Sequence, residues 1–390
     1  FFIVLSLTYS LSTGLWEGPD ETGHFLFVRH IARTGRLPIQ QFSQNNQTHE
    51  GHQPPLYYAI GALLTFWIQA DDLQIMMRPN PNHLWTPGGS EPNVMLHTAA
   101  ESFPYQGTAL AIHIVRLLSI ALGAVTVWAT YAIGAQIWSE RYVVPVAASA
   151  LVALNPQFVF LSGVVNNDNA VIACSALATL ILVRLLKHGP SRQAFLLLGL
   201  FVGLALLSKQ TAFFLGLPIA FVFAILAWKE RSLSKLLTWI GWTGATIVMI
   251  AGWWYVRNQL LYGDALAYRL FLASRPNEVG TDFGSRAIVH DFWVRMHRSF
   301  WGMFGWMSIQ LPSTTYTWLN GFYVAPVLGW LVGVLWRAET GRIVSLKERE
   351  FRRNLVILFV LEIGMAWLWV ICFSSRFGAS GHQGRYLFVA

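Results

Sequence analysis

The sequence predicts an all-α protein that crosses a membrane about ten times. Of its 390 residues, 54% are hydrophobic and only 12% are charged, whereas soluble domains carry about 25% charged residues. The mean hydropathy is +0.46. Many of the 18 tryptophans lie near the ends of apolar runs, where aromatic belts mark the membrane interface. Together these observations indicate a polytopic membrane protein.

Apolar runs give the individual spans, because a bilayer-spanning helix needs about 20 apolar residues. The runs that reach or approach this length cover 1–15, 108–138, 142–165, 169–187, 193–208, 211–228, 236–256, 318–336 and 355–374, and another starts at 386. The first and last lie at the ends of the sequence. We therefore expect a fragment, cut inside its first and last membrane helices, that forms one membrane domain over 1–390.

Basic residues decide between one helix and two for the runs 193–208 and 211–228. Lysines and arginines precede and follow this pair, and such clusters stay on the cytoplasmic side of a membrane. Two crossings between them are therefore predicted.

The same rule orients the chain. The segment 337–353 is the most basic loop and is placed inside the cell. Alternate crossings then put two long loops, 16–107 and 257–317, on the outer face. Both loops contain amphipathic stretches, about 22–34, 54–69 and 286–307, that we expect to form helices along the membrane surface.

Composition also excludes several functions. The net charge of +8 is concentrated in short loops, so it does not indicate nucleic-acid binding. The two cysteines lie inside apolar runs and predict neither a disulfide framework nor a metal site. No phosphate-cradling glycine-rich loop occurs, and the histidines and acids show no metal-ligand spacing, so neither a nucleotide donor nor a metal cofactor is predicted.

The first outer loop begins with adjacent acids, Asp20 and Glu21, followed by His24. A general base must be ionised and held near the hydroxyl that it activates, and either acid could serve. Capping of the next helix by these acids is the alternative.

A proline-aromatic segment follows, with His52, Gln53, Tyr57 and Tyr58 around Pro54–Pro55. Proline is favoured at a helix start. The tyrosines could anchor the helix at the membrane surface. Alternatively, the four polar side chains could bind a lipid-linked phosphate or sugar.

Four cations stand out by position. Arg116 lies inside an apolar run, where an arginine needs a partner or a cavity, and we expect it to pair with Glu21 or Asp20 and keep it ionised. Lys209, Arg257 and Arg385 fall at the outer boundary and are candidate phosphate ligands; a simple boundary lysine is the alternative for Lys209. The turn 166–169 fits helix capping better than sugar binding.

The motifs in this order resemble those of membrane glycosyltransferases with the C-type fold, which include protein O-mannosyltransferases and lipid A aminoarabinose transferases. The resemblance lies in the segments 19–24, 53–58, 253–258, 261–264 and 383–386. It implies a sugar donor on a polyprenyl phosphate, a base at Asp20 and no required metal. Gln53 stands where the aminoarabinose transferases have a lysine near the donor phosphate, which shifts phosphate binding to the other cations.

These patterns lead to one main hypothesis and two rivals. The chain is predicted to be an inverting glycosyltransferase at the outer face of a bacterial-type inner membrane, with a hydroxyl acceptor on a protein, lipid or cell-envelope glycan. A flippase for lipid-linked sugars would also need cations and aromatic residues at the membrane edge. A noncatalytic assembly subunit would keep the fold without a working base.

Overall fold

The structure is a computed structural model that describes residues 1–40, 50–83, 91–138, 140–273, 286–324 and 345–390. These ranges are predominantly helical. The α-helices are α1 Phe2–Ser12, α2 Glu21–Thr34, α3 Leu56–Thr65, α4 Leu73–Met76, α5 Gly107–Ile137, α6 Val143–Ala153, α7 Pro156–Ser162, α8 Asp168–His188, α9 Arg192–Leu206, α10 Gly216–Glu230, α11 Leu233–Ile247, α12 Trp253–Tyr262, α13 Tyr268–Ala273, α14 Arg286–Trp301, α15 Ser313–Leu319 and α16 Leu346–Phe377.

Shorter elements join these helices. Strands β1 Met303–Phe304 and β2 Ile309–Gln310 pair antiparallel. A π-helical turn, Val248–Gly252, links α11 to α12. Short 3₁₀ helices cover Ala99–Glu101, Gln210–Leu215, Gly378–Gly381 and Gly384–Val389.

Several helices are long and apolar enough to cross a membrane, which confirms the all-α membrane class. Within the described residues there are five, or six if the bent pair α6–α7 is one span. The five are Gly107–Ile137, Asp168–His188, Gln210–Glu230, Leu233–Tyr262 and Leu346–Phe377. The predicted count of about ten is not established, since most of the run 318–336 lies outside the described residues. At 384–389, where another span was expected to start, the chain forms a 3₁₀ helix.

The run 142–165 does not form the single straight span that its hydropathy predicts. It divides into α6 and α7, which meet at an angle of 65°. Asn155 begins α7, with its side chain accepting a hydrogen bond from the backbone N–H of Phe158, and Pro156 occupies the first helical position. This asparagine–proline pair is a helix-start signal inside an apolar run.

The neighbouring pair of runs forms two separate helices, as the charge distribution indicates, although the first is shorter than the candidate spans. α9 ends at Leu206 and α10 begins at Gly216, with Lys209 and a 3₁₀ helix between them. The charge distribution was therefore the better guide at this point, and apolar length alone was insufficient.

The spans pack through a continuous apolar core. α8 lies between α5 and α9, and α9 packs in turn against α11. At the last contact Phe195 stacks on Trp239 with their ring centroids 5.1 Å apart.

The predicted surface helices form a second packed layer. α2 and α3 match the amphipathic stretches 22–34 and 54–69 and pack against each other. Their contact includes Phe27 stacked on Tyr58, with ring centroids 4.1 Å apart. α14 covers most of the stretch 286–307, which ends in the β1–β2 hairpin. This layer holds the loop residues at the start of α2 in a fixed place.

Candidate active site

A cavity of about 500 Å³ opens between the first loop, the start of α8, the segment after α9 and the end of the chain. Its walls combine acids, cations, histidines and aromatic rings. They are formed by Pro19, Asp20, His24, Glu50, His52, Gln53, Asn166, Asp168, Lys209, Gln210, Thr211, Leu266, Tyr268, Phe271, Trp306, Met307, Trp369, Phe373, Gln383, Arg385 and Tyr386.

Asp20 and Arg385 face each other across this cavity, although 365 positions separate them in the sequence. An Nη2 of Arg385 donates a hydrogen bond of 3.0 Å to Oδ2 of Asp20. Asp20 precedes α2 in the left-handed region, at φ 60°, a conformation that Asp tolerates better than most residues because its short polar side chain can bond locally.

The Arg385 side chain is only 5% exposed. Its Nε and Nη1 are buried, and neither has a hydrogen-bond partner among the described residues. Buried guanidinium groups are costly unless they are paired. An anionic ligand in the cavity would supply the missing acceptors.

Gly384 allows Arg385 to approach this closely. Its backbone N–H donates to Ser299 Oγ at 2.7 Å. A Cβ at position 384 would lie 2.4 Å from the carbonyl oxygen of Met296 and 2.5 Å from the backbone nitrogen of Phe300. Only glycine therefore fits against α14 at this point, and the contact fixes the start of the 3₁₀ helix that carries Arg385.

A second ion pair joins Asp168 and Lys209 at the cavity wall. Asp168 begins α8, and its backbone N–H donates to Oδ1 of Asn166 at 2.7 Å. The Lys209 ammonium also lies 5.8 Å from the ring centroid of Tyr386. Capping by Asp168 or Asn167 was expected for this turn, but the N-cap residue Asn167 makes no side-chain capping hydrogen bond. Asn166 accepts from the backbone of Asp168 instead, and the Asp168 side chain pairs with Lys209. In the sequence, the signal for this ion pair was the position of Lys209 at the outer boundary, where a lysine needs a partner.

His24 lines the cavity together with Asp20. Burial lowers the pKa of His24, against the opposing influence of Glu50 and Asp20. Its Nδ1 is hydrogen-bonded to the hydroxyl of Tyr58 at 2.8 Å. His24 therefore lines the cavity directly, and Tyr58 supports it from behind.

His52 and Gln53 form another part of the wall. The backbone N–H of His52 donates to Gln40 Oε1 at 2.9 Å, and its Nδ1 lies 3.1 Å from the same oxygen. Glu50 lines the cavity next to them and was not identified from the sequence, where it is one acid in a polar loop.

Glu21 does not line the cavity. It is fully buried, and its carboxylate accepts two 2.8 Å hydrogen bonds from Arg116. The backbone N–H groups of Trp16 and Val165 donate to it at 3.0 and 2.9 Å. The predicted pairing of Arg116 with one of the two acids is confirmed, and that acid is Glu21. The pair ties the segment 10–14 to α5, because Arg116 also donates to three carbonyls there.

Two further candidates lie behind or beside the cavity. The Tyr57 hydroxyl is hydrogen-bonded to Ser119 Oγ at 2.7 Å and accepts from the backbone N–H of Asn166 at 3.2 Å. Arg257 donates to the Pro38 carbonyl at 2.8 Å and is not among the cavity-lining residues. The structure thus brings Lys209 and Arg385 together without Arg257.

The aromatic side of the cavity comes from distant segments. Phe271, Trp369 and Phe373 supply one wall. Opposite the start of α2, the β1–β2 turn contributes Trp306, whose indole N–H donates to the Trp16 carbonyl at 3.0 Å. The cavity therefore combines charged and apolar side chains, which an amphiphilic ligand requires.

No group of three or more His, Cys, Asp or Glu side chains that could hold a metal ion occurs in the part of the chain that the structure describes.

The middle of the chain matches a protein-family model. Residues 109–255 match the dolichyl-phosphate-mannose-protein mannosyltransferase family. This confirms the resemblance inferred from the motifs. The family implies a glycosyltransferase that depends on a polyprenyl-phosphate sugar, in an integral membrane protein. The match includes Asp168 and Lys209, whereas Asp20 and Arg385 lie outside it. No curated protein and no solved structure matches the chain.

Proposed function

We propose that the protein is an inverting transferase that moves a sugar from a polyprenyl-phosphate donor to a hydroxyl acceptor. The observation that carries the proposal is the pairing of Asp20 with Arg385 in one cavity, where two nitrogens of the guanidinium are buried without acceptors. A carboxylate base and an anion site are the two groups that this reaction requires.

In the proposed step, Asp20 takes the proton of the acceptor hydroxyl as its oxygen attacks the anomeric carbon. The bond between that carbon and the phosphate oxygen breaks, and its electron pair leaves with the phosphate. The products are a glycoside with inverted configuration and a polyprenyl phosphate, and Asp20 later returns the proton to water. General-base assistance of this kind contributes about 10²–10⁴-fold in rate.

The leaving phosphate gains one negative charge in this step. Arg385 Nε and Nη1 would donate charge-assisted hydrogen bonds to the phosphate oxygens and so stabilise that charge. Lys209 also lines the cavity, where Asp168 is its ion-pair partner, and a bound phosphate would be a second anionic partner for it at a site where position 53 is Gln. Positive groups placed before the charge develops stabilise the transition state most.

The aromatic wall supports a lipid donor. Phe271, Trp369 and Phe373 line the cavity beside the charged residues, and they offer an apolar surface to the first isoprenoid units. We assign the site to the outer face of a bacterial-type inner membrane, because the most basic loop, 337–353, lies on the opposite side in the predicted topology.

The test separates chemistry from donor binding. Asp20→Asn keeps the size of the side chain and its tolerance of positive φ, so we expect a folded protein that binds polyprenyl phosphate but transfers sugar at least about 100-fold more slowly. The control is Glu140→Gln, which removes an exposed acid between α5 and α6 outside the cavity lining.

Two outcomes would contradict the proposal. Wild-type transfer by the Asp20→Asn protein would remove Asp20 from the mechanism. Translocation of the lipid-linked sugar across vesicles at the wild-type rate, with no transfer by either protein, would favour a flippase.

A further inference from the structure

A second pocket, of about 250 Å³, lies between α2, the end of α3 and the segment that follows it. It is distinct from the candidate active site and shares no lining residue with it. We propose that this pocket binds the head group of an anionic phospholipid.

Two arginines supply the positive charge. Arg29 and Arg33 are four residues apart on α2 and therefore lie on the same helix face, and both line the pocket. The Arg29 side chain is held by two hydrogen bonds, of 3.1 and 3.0 Å, from its Nε and Nη2 to the Ala70 carbonyl. This leaves its Nη1 for a ligand.

The charges in the pocket do not cancel. Arg33 forms an ion pair with Asp71, which is 77% exposed and also lines the pocket. The next acid, Asp72, is engaged elsewhere, since its Oδ1 accepts hydrogen bonds from the backbone N–H and hydroxyl of Thr108. Among the residues that line the pocket, two arginines outnumber a single acid, which favours an anionic ligand such as a phosphodiester, although the charge of Asp72 also acts on Arg29.

Apolar side chains around the pocket indicate that the anion belongs to a lipid. Leu63, Phe66 and Trp67 are 70%, 64% and 61% exposed at the end of α3, and Phe66 lines the pocket itself. A cationic face beside large exposed apolar side chains is typical of helices in the membrane interface. A soluble anion would leave these three side chains in water.

The experiment compares lipid retention by the full-length chain. Protein from nanodiscs that contain equal phosphatidylglycerol and phosphatidylcholine is transferred to detergent, and native mass spectrometry counts the bound lipids. We expect the wild type to retain phosphatidylglycerol preferentially. Arg33→Gln should weaken this retention roughly fivefold, the usual effect of one cation beside anionic lipid.

Two matched variants keep the test decisive. Arg36→Gln removes an exposed arginine outside the pocket and should retain lipid as the wild type does. Asp71→Asn releases Arg33 from its ion pair and should raise retention, an increase that a purely structural ion pair does not predict.

Equal retention by Arg33→Gln and Arg36→Gln would overturn the proposal. It would also fail if inorganic phosphate displaced the lipid at equal concentration, which would indicate a soluble anion site. If Arg33→Gln does not fold, the Asp71→Asn protein alone decides the test. If its lipid retention does not rise above that of the wild type, the proposal is contradicted. These readouts do not involve sugar transfer, so they are independent of the proposed catalytic function.

Discussion

Replacing Arg116 with methionine should destabilise the protein more than it affects the chemistry. Arg116 and Glu21 are both fully buried, and neither lines the candidate active-site cavity. The substitution keeps most of the side-chain volume, so its main effect is the loss of charge and of hydrogen bonds. It leaves the Glu21 carboxylate buried without its counterion, at the first residue of α2.

The size of the effect follows from the contacts. Arg116 donates two hydrogen bonds to Glu21 and three to the carbonyls of Ser10, Thr13 and Gly14. Removing one partner of a buried ion pair costs about 3–5 kcal/mol, out of a typical unfolding free energy of about 5–15 kcal/mol. We therefore expect a marked loss of folded protein.

The assay is the temperature at which the purified protein loses its monodisperse peak in detergent. Arg116→Met should lower it strongly, whereas the exposed control Arg141→Met should change unfolding by no more than about 0.5 kcal/mol. The double variant with Glu21→Gln should recover part of the loss, because it leaves no unpaired charge. A stable Arg116→Met protein that no longer transfers sugar would refute this reasoning and place the pair in catalysis.

Three further predictions concern supporting contacts. Hydrogen bonds to Glu101 and to a second carboxylate raise the pKa of His97 to about 9. The stability that protonated His97 contributes should be complete below pH 6.5 and lost as the pH rises through 9. His97→Gln should therefore make the melting temperature less dependent on pH over that range. Tyr57→Phe removes a buried hydroxyl with two partners and should cost about 1–3 kcal/mol in denaturant unfolding. Gly384→Ala places a Cβ 2.4 Å from the Met296 carbonyl and should reduce sugar transfer and polyprenyl-phosphate binding together, because Arg385 moves.

The sequence predicted the helical membrane class because apolar length and basic loops report the spans directly. It also predicted that Arg116 pairs with Glu21 or Asp20, since an arginine inside an apolar run requires a partner, and the structure selects Glu21. It did not predict the bend between α6 and α7, because the hydropathy of 142–165 hides the helix start at Asn155.

The cavity was only partly predictable for a related reason. Sidedness placed Asp20, Lys209 and Arg385 on one face, but contact between residues 365 positions apart depends on how Gly384 fits against α14. Sidedness also placed Arg257 on this face, but its side chain donates to the Pro38 carbonyl and does not line the cavity. Periodicity and charge identify a face of the molecule, while packing selects which of its side chains meet.

The most direct test of the central proposal is the structure of the protein with bound polyprenyl phosphate. The account predicts phosphate oxygens within about 3 Å of Arg385 Nε or Nη1, with Lys209 on the same side and the Asp20 carboxylate facing the space that the sugar would occupy. A phosphate bound outside this cavity, beside Arg257 or with Asp20 directed away from it, would contradict the account.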